Sequence, residues 1–176
     1  MLVGERVKLA PHKREYIDKF LKWFNDPEIT QYLTIYRPLT LEMEEEWFNT
    51  IKDRENNIYL SILLLEENDK LIGNCGIHNI DCKNRCAFCG IAIGEKEYQN
   101  QGLGTETMKL LVEYGFNTLN LNRLELSVKD NNIRAIKCYK KVGFIEEGRR
   151  REAMFINGRY YDAIIMSILR EEWNKI

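Results

Sequence analysis

The segment Tyr98-Gln99-Asn100-Gln101-Gly102-Leu103-Gly104-Thr105-Glu106 constrains this chain more than any other. It places two glycines, one residue apart, where a polar loop runs into an apolar helical pattern. The first N–H groups of a helix have no internal acceptor, and the positive end of the helix dipole stands behind them. Glycine carries no Cβ, so a bulky anion can come close to the backbone. A phosphate or pyrophosphate is the natural guest of such a junction.

Two familiar phosphate-binding patterns do not fit. A Walker loop needs Lys followed by Ser or Thr after its glycines, and no such pair stands here. A dinucleotide fingerprint needs a third glycine, where this chain has Thr107. It also wants its glycines directly after a strand, whereas the polar segment 95–101 intervenes. The plainer alternative is a helix-start loop with two convenient glycines.

The flanking sequence reads as a single mixed α/β domain over residues 1–176. Val7-Lys8-Leu9 alternates as a short strand. Tyr16, Ile17, Phe20, Leu21 and Phe24 recur at helical spacing, which predicts a helix over 12–24 that Asn25-Asp26-Pro27 ends. Thr40 is placed to cap a second helix burying Met43, Trp47 and Ile51 or their neighbours. Apolar runs at 59–65, 71–80 and 86–93 predict an antiparallel meander, with a polar turn at 81–85. After the glycine loop, Met108, Leu111, Val112, Gly115 and Leu119 line one helix face. Leu124, Leu126 and Val128 alternate as a half-buried strand. Residues 133–142 read as a helix stopped by Gly143. Asn157-Gly158 between 144–155 and 160–169 signals a hairpin.

Composition removes several function classes. The net charge of -1 gives no general drive toward nucleic acid or a membrane surface. No apolar run approaches the ~20 residues of a membrane span. The first residues lack the apolar core of a signal peptide, so the expected location is the cytoplasm. Five cysteines, an odd number, suit reduced thiols better than a disulfide framework.

A second constellation follows the loop: Asn132, Ala135, Tyr139, Lys141, Gly143 and Phe144. Asn132 sits at a helix start, and Tyr139 lies seven residues on, along the same face. An amide and a phenol can therefore look into one groove. Here the chain resembles the GNAT superfamily of acyl-CoA-dependent N-acetyltransferases. That family's signature is [QR]-x-x-G-x-[GA] opening a helix, then a strand, then N-x-x-A-x-x-x-Y-x-K-x-G-F. Gln99 to Gly104 match the first part, and the residues from Asn132 to Phe144 match the second. The C-terminal run Asn157-Gly158-Arg159-Tyr160-Tyr161-Asp162 is similar to the branch that acetylates ribosomal-protein N-termini and polyamines.

The resemblance implies a GNAT fold, with one mixed, mostly antiparallel central sheet flanked by helices. It implies acetyl transfer from acetyl-CoA, as co-substrate, to a primary amine on a small molecule or a protein N-terminus. Gln99, Asn100, Gln101, Gly102, Leu103, Gly104 and Thr105 would form the pyrophosphate loop. The backbone of Ile91, Ala92 and Ile93 would bind the pantetheine like an added strand, where the strands on either side of the glycine loop splay apart. Asn132 and Ala135 would contact the cofactor. Tyr139 would face the CoA sulfur and protonate the leaving thiolate. Pairing of two copies through the C-terminal strands is expected. The competing reading is an acyl-CoA-binding sensor that has lost catalysis.

A general base is harder to place. Many members of the family this chain resembles carry a carboxylate on the strand before the loop, and 86–93 holds none. Glu95 is the nearest candidate, with Glu28 and Asp130 in reserve. Cys75, His78, Cys82, Cys86 and Cys89 tempt as zinc ligands, but Cys86 and Cys89 would face opposite sides of one strand. No metal is expected. The acidic run Glu42, Glu44, Glu45 and Glu46 reads as a solvated helix face, or else as a guide for a cationic acceptor. Arg149-Arg150-Arg151 is too short to indicate nucleic acid, and His12 stands near a helix start without an assigned role.

Overall fold

The structure is a computed structural model that describes residues 1–175. Its strands are β1 (Leu2–Val3), β2 (Val7–Pro11), β3 (Ile58–Leu64), β4 (Lys70–Asp81), β5 (Cys86–Ile93), β6 (Arg123–Lys129), β7 (Ile145–Ile156) and β8 (Arg159–Leu169). Its helices are α1 (Ile17–Phe24), α2 (Pro27–Thr30), α3 (Leu41–Thr50), α4 (Leu103–Asn117), α5 (Ile133–Val142) and α6 (Arg170–Trp173). The strands form one sheet in the order β1-β2-β3-β4-β5-β6-β8-β7. Every neighbouring pair is antiparallel except β5 with β6. This is the mixed, mostly antiparallel architecture that the resemblance implies, and it contains the meander that the apolar runs predict.

That one parallel pair positions the site. It needs a crossover, which α4 supplies. Met108, Leu111, Val112 and Phe116 of α4 are fully buried against one face of the sheet. Alternation along β6 turns Leu124, Leu126 and Val128 toward the same core. On the other face, Ala10, Leu63 and Leu71 lie under Phe20 and Trp23 of α1 and Ile29 of α2.

Local signals account for most boundaries. The Thr40 hydroxyl accepts from the Met43 N–H at 3.3 Å and starts α3. Asp26 caps α2 through the Glu28 N–H at 2.9 Å, with Pro27 in the first helical position. Asn157 and Gly158 both have positive φ, as the tight hairpin turn requires.

The structure departs from expectation in three places. The helix predicted over 12–24 is a 3₁₀ turn at Arg14–Tyr16 followed by α1, because the chain at Lys13 is still extended. On α3, Met43 is 46% exposed while Glu44 is 6% exposed. Trp47 and Ile51 turn inward as expected, and the neighbouring Glu44 takes the inward place of Met43. The acidic run is therefore not wholly a solvated face. The short elements β1, α2 and α6 fall below the length at which periodicity is visible.

His12 is also part of the second face. Its Nδ1 lies 2.7 Å from Ser61 Oγ, and its ring meets Phe20 edge-on at 4.8 Å. Burial lowers its pKa to about 4. Burial shifts His78 in the same direction.

Two stability results are expected. Phe116→Ala should cost about 3–5 kcal/mol in urea unfolding, from lost burial and a residual cavity. The second concerns pH. Above the unfolded imidazole value of 6.5, both states are neutral at His12 and stability is full. As pH falls from there toward the folded value, the unfolded state takes a proton that the folded state refuses. Stability should drop by roughly 2 kcal/mol by pH 5 from His12 alone. His12→Phe should flatten this part of the urea-midpoint profile.

Candidate active site

β5 and β6 are hydrogen-bonded only where Cys86, Ala87 and Phe88 meet Arg123, Leu124 and Glu125. Beyond Phe88 the strands part. Ile91, Ala92 and Ile93 stay paired to β4 on one side and face a gap on the other. The gap opens into a cleft of about 510 Å³, a size typical of small-molecule and cofactor sites.

The glycine loop forms one end of the cleft. Gly102 caps α4 with φ of 84°, a conformation that disfavours any residue with a Cβ. The Thr105 and Glu106 N–H groups close the first turn onto the Gly102 carbonyl. The N–H groups of Leu103 and Gly104 precede that turn and have no intrahelical acceptor. A Cβ on Gly104 would make only ordinary van der Waals contact with Ile91 and Cys138, at 3.7 and 4.0 Å, so the geometry there also accommodates alanine. Gln99 fastens the loop from below. Its amide nitrogen donates to the Ile93 carbonyl at 2.8 Å, and its oxygen accepts from Arg134 at 2.6 Å.

α5 forms the facing wall. The Asn132 side-chain oxygen accepts from the Ala135 N–H at 3.2 Å, which leaves the NH₂ end as a free donor. Arg134, Lys137 and Lys141 also line the cleft, at spacings that put a basic stripe along one side of the helix. Tyr139 reaches the cleft from a nearly closed environment, with 7% of its surface exposed. Burial, and then the neighbouring thiols Cys89 and Cys138, raise its pKa well above the ordinary phenol value. The phenol is therefore a persistent proton carrier at neutral pH.

The third wall comes from α2 and its continuation, at Glu28, Ile29, Tyr32 and Leu33. A clasp holds it in place. The Lys129 amine is buried over the rings of Tyr161 and Tyr32, at 4.1 and 5.3 Å, and donates to the Gln31 carbonyl at 2.8 Å. Desolvation lowers its pKa.

The cleft brings together most residues singled out from sequence: Ile91, Ala92, Ile93, Gln99, Asn100, Gly102, Gly104, Thr105, Asn132, Ala135 and Tyr139. Three others lie elsewhere. Leu103 points into the core with 1% exposure, anchoring the helix start. The Gln101 side chain is exposed and turns back to the Glu97 carbonyl at 2.7 Å. Glu95 sits in a separate hollow with Trp23 and Lys96, ion-paired to Lys19 at 3.2 Å. Sequence reading held Glu28 only in reserve as a base and passed over Tyr32 and the basic stripe. The stripe was visible as cations at i, i+3 and i+7, whereas α2 is too short to leave a periodic trace. Cys75 and Cys89 are buried thiols facing the core. Among the described residues, no three His, Cys, Asp or Glu side chains converge as a metal site would require.

Comparison with known proteins gives this geometry a context. The Acetyltransferase (GNAT) domain family matches residues 6–145. The uncharacterized N-acetyltransferase p20 of Bacillus licheniformis is 30% identical over 174 residues, covering 98% of this chain and 97% of the relative. The putative ribosomal N-acetyltransferase YdaF of Bacillus subtilis is 34% identical over 103 residues, 58% of this chain and 56% of the relative. Among solved structures, spermidine N-acetyltransferase from Vibrio cholerae, in complex with CoA and spermine, superimposes with a TM-score of 0.90. It is 27% identical, and the match covers 97% of this chain and 99% of that one. A family match across most of the chain, a full-length relative and a shared three-dimensional frame agree: this protein belongs to the GNAT family of N-acetyltransferases.

Proposed function

We propose that the enzyme moves an acetyl group from acetyl-CoA directly to a primary amine, on a polyamine-like small molecule or a protein N-terminus. The observation that carries this is the meeting of a phosphate-ready helix start and a buried phenol in one cleft, at the parted edge of β5.

The residues fit the co-substrate part by part. The Leu103 and Gly104 N–H groups, with Arg134, Lys137 and Lys141, suit the phosphates of CoA. The unpaired edge of Ile91 and Ala92 suits the pantetheine amides. The Asn132 NH₂ remains a donor for the same molecule. Acetyl-CoA itself supplies an acyl group already activated as a thioester.

Protein groups then manage two protons. An alkyl amine with a pKa of ~10.4 is neutral in about one molecule per few thousand at pH 7. Glu28, the carboxylate on the cleft wall, takes the excess proton through water. Both carboxylates are ion-paired, Glu28 to Lys96 at 2.6 Å and Glu95 to Lys19 at 3.2 Å, and Glu95 is the less suitable base because it lies in a separate hollow outside the cleft. Negative charge next develops on the departing sulfur. Tyr139 keeps its proton across the working pH range and donates its O–H toward that charge.

Tyr139→Phe should slow thiol release by about a hundredfold or more, with CoA affinity by calorimetry unchanged. Tight CoA binding by the wild-type protein without turnover on any amine would instead favour the sensor reading. A paired comparison separates the carboxylates. Glu28→Gln should lower kcat/KM for a cationic amine by about tenfold. Glu95→Gln should stay near wild type, and a larger loss at Glu95 would reverse the assignment.

A further inference from the structure

The sheet's second face carries a polar cluster to which no step above assigns a role. Strand register sets Ser61, Asn74 and Ala92 side by side across β3, β4 and β5. Tyr59, Gly76 and Gly90 form the next row, and His78 and Phe88 the one after. The helical layer closes over one end. His12 bonds Ser61 there, and the Trp47 ring stands 5.8 Å from His12 and 5.0 Å from Tyr59. The Tyr59 ring in turn lies 5.1 Å from His78.

Three atoms in this cluster are buried and have no hydrogen-bond partner: His12 Nε2, Asn74 Oδ1 and His78 Nδ1. Leaving such an atom unpaired is unfavourable, and native structures rarely tolerate several together. The amide oxygen is an acceptor, and a neutral imidazole offers a lone pair. With the His12 Nδ1–H donating to Ser61, its Nε2 is left as an acceptor, and in that tautomer the cluster lacks a donor. The aromatic faces of Trp47 and Tyr59 favour a donor that is a cation. Glu44, one turn before Trp47 on α3, is also buried, and that burial raises its pKa. Arg14 does not fill the place, since its guanidinium lies over Phe48 and bonds Asn49.

The way in is open. Nothing stands within 4 Å of where a Gly90 Cβ would be, and Phe88 beside it is 45% exposed. The His78 ring leans back over Gly76, where a Cβ would meet its Cε1 at 2.6 Å, which carries the imidazole toward Asn74; Asn74 pairs in register with Ala92, which lines the cleft. Ser61 and Ala92 are two strand spacings apart, roughly 10 Å.

We infer that this cluster binds a second ammonium group of the acceptor, so that the preferred acceptor is a polyamine anchored away from its reacting end. The inference rests on the amine-acetylation reading above and names the substrate class for it. The reacting amine stands at the β5 edge. The second ammonium donates to Asn74 Oδ1 and to the imidazole nitrogens, with the rings of Tyr59 and Trp47 beside it.

The test is calorimetric binding of spermidine and of butylamine to the CoA-saturated protein, in the wild type, Asn74→Leu and His78→Phe. Spermidine should bind the wild type more tightly than butylamine. Each variant should weaken spermidine by about tenfold and leave butylamine and CoA affinities in place. Each should also melt no lower than wild type, because an unpaired buried polar atom has been replaced by carbon. Equal binding of the two amines by wild type would mean that the cluster holds only buried water and would overturn the inference. Unchanged spermidine affinity in both variants, or parallel loss of both amines, would overturn it as well. Failure of the acetylation reading has a different signature: no thiol release with any amine, while spermidine binding and its loss in the variants persist.

Discussion

The structure depends on two parallel strands that pair for only three residues and then separate. In a regular sheet, the backbone of Ile91 and Ala92 would be consumed by β6. Here β4 holds β5 from one side while α4 and α5 hold the core beneath. The unpaired edge is therefore kept open by packing and not by strain. Gln99 completes the arrangement by binding the Ile93 carbonyl, which stops the gap from running on into the loop. The anion-ready turn, the basic stripe and the phenol are all placed relative to that edge.

The cleft is chemically polarised as a result. Its α5 side carries Arg134, Lys137 and Lys141 and suits an anion. Its α2 side carries Glu28, itself paired to Lys96 at 2.6 Å, and leads toward the second face. A polyanionic donor and a polycationic acceptor would then approach from opposite sides and meet near Tyr139. Such a division needs no large net charge, which is consistent with a chain that is nearly neutral overall.

Much of this was legible in the amino-acid order. Gly102 and Gly104 announced the helix start because φ and Cβ constraints are local. Asn132, Tyr139 and Gly143 announced α5 because capping and period are local too. The meander and the terminal hairpin followed from alternation and from Asn157-Gly158. Less visible was anything set by long-range register. Nothing in the sequence places His12 beside Ser61, or Asn74 in the row that ends at Ala92. Glu95 looked suitable as a base by proximity along the chain. Its pairing with Lys19, remote in sequence, removes it from the cleft. Glu44 was read as one charge in a solvated run, and only the packing of α3 shows that it is buried.

The clasp at Lys129 has a bearing on how the protein is made. Its partners come from three distant stretches: Gln31 and Tyr32 near the start, Lys129 in β6, and Tyr161 in β8. β8 also inserts between β6 and β7, although it follows both in the chain. During translation β6 must wait with one edge bare, and the third wall of the cleft cannot be fastened until the hairpin docks. A ribosome-bound chain can thus form its glycine loop and α4 early and still lack a finished mouth. Competence would arrive in one late step with the β7–β8 hairpin, which confines the acetyl-transfer chemistry to chains whose hairpin has left the ribosome and docked.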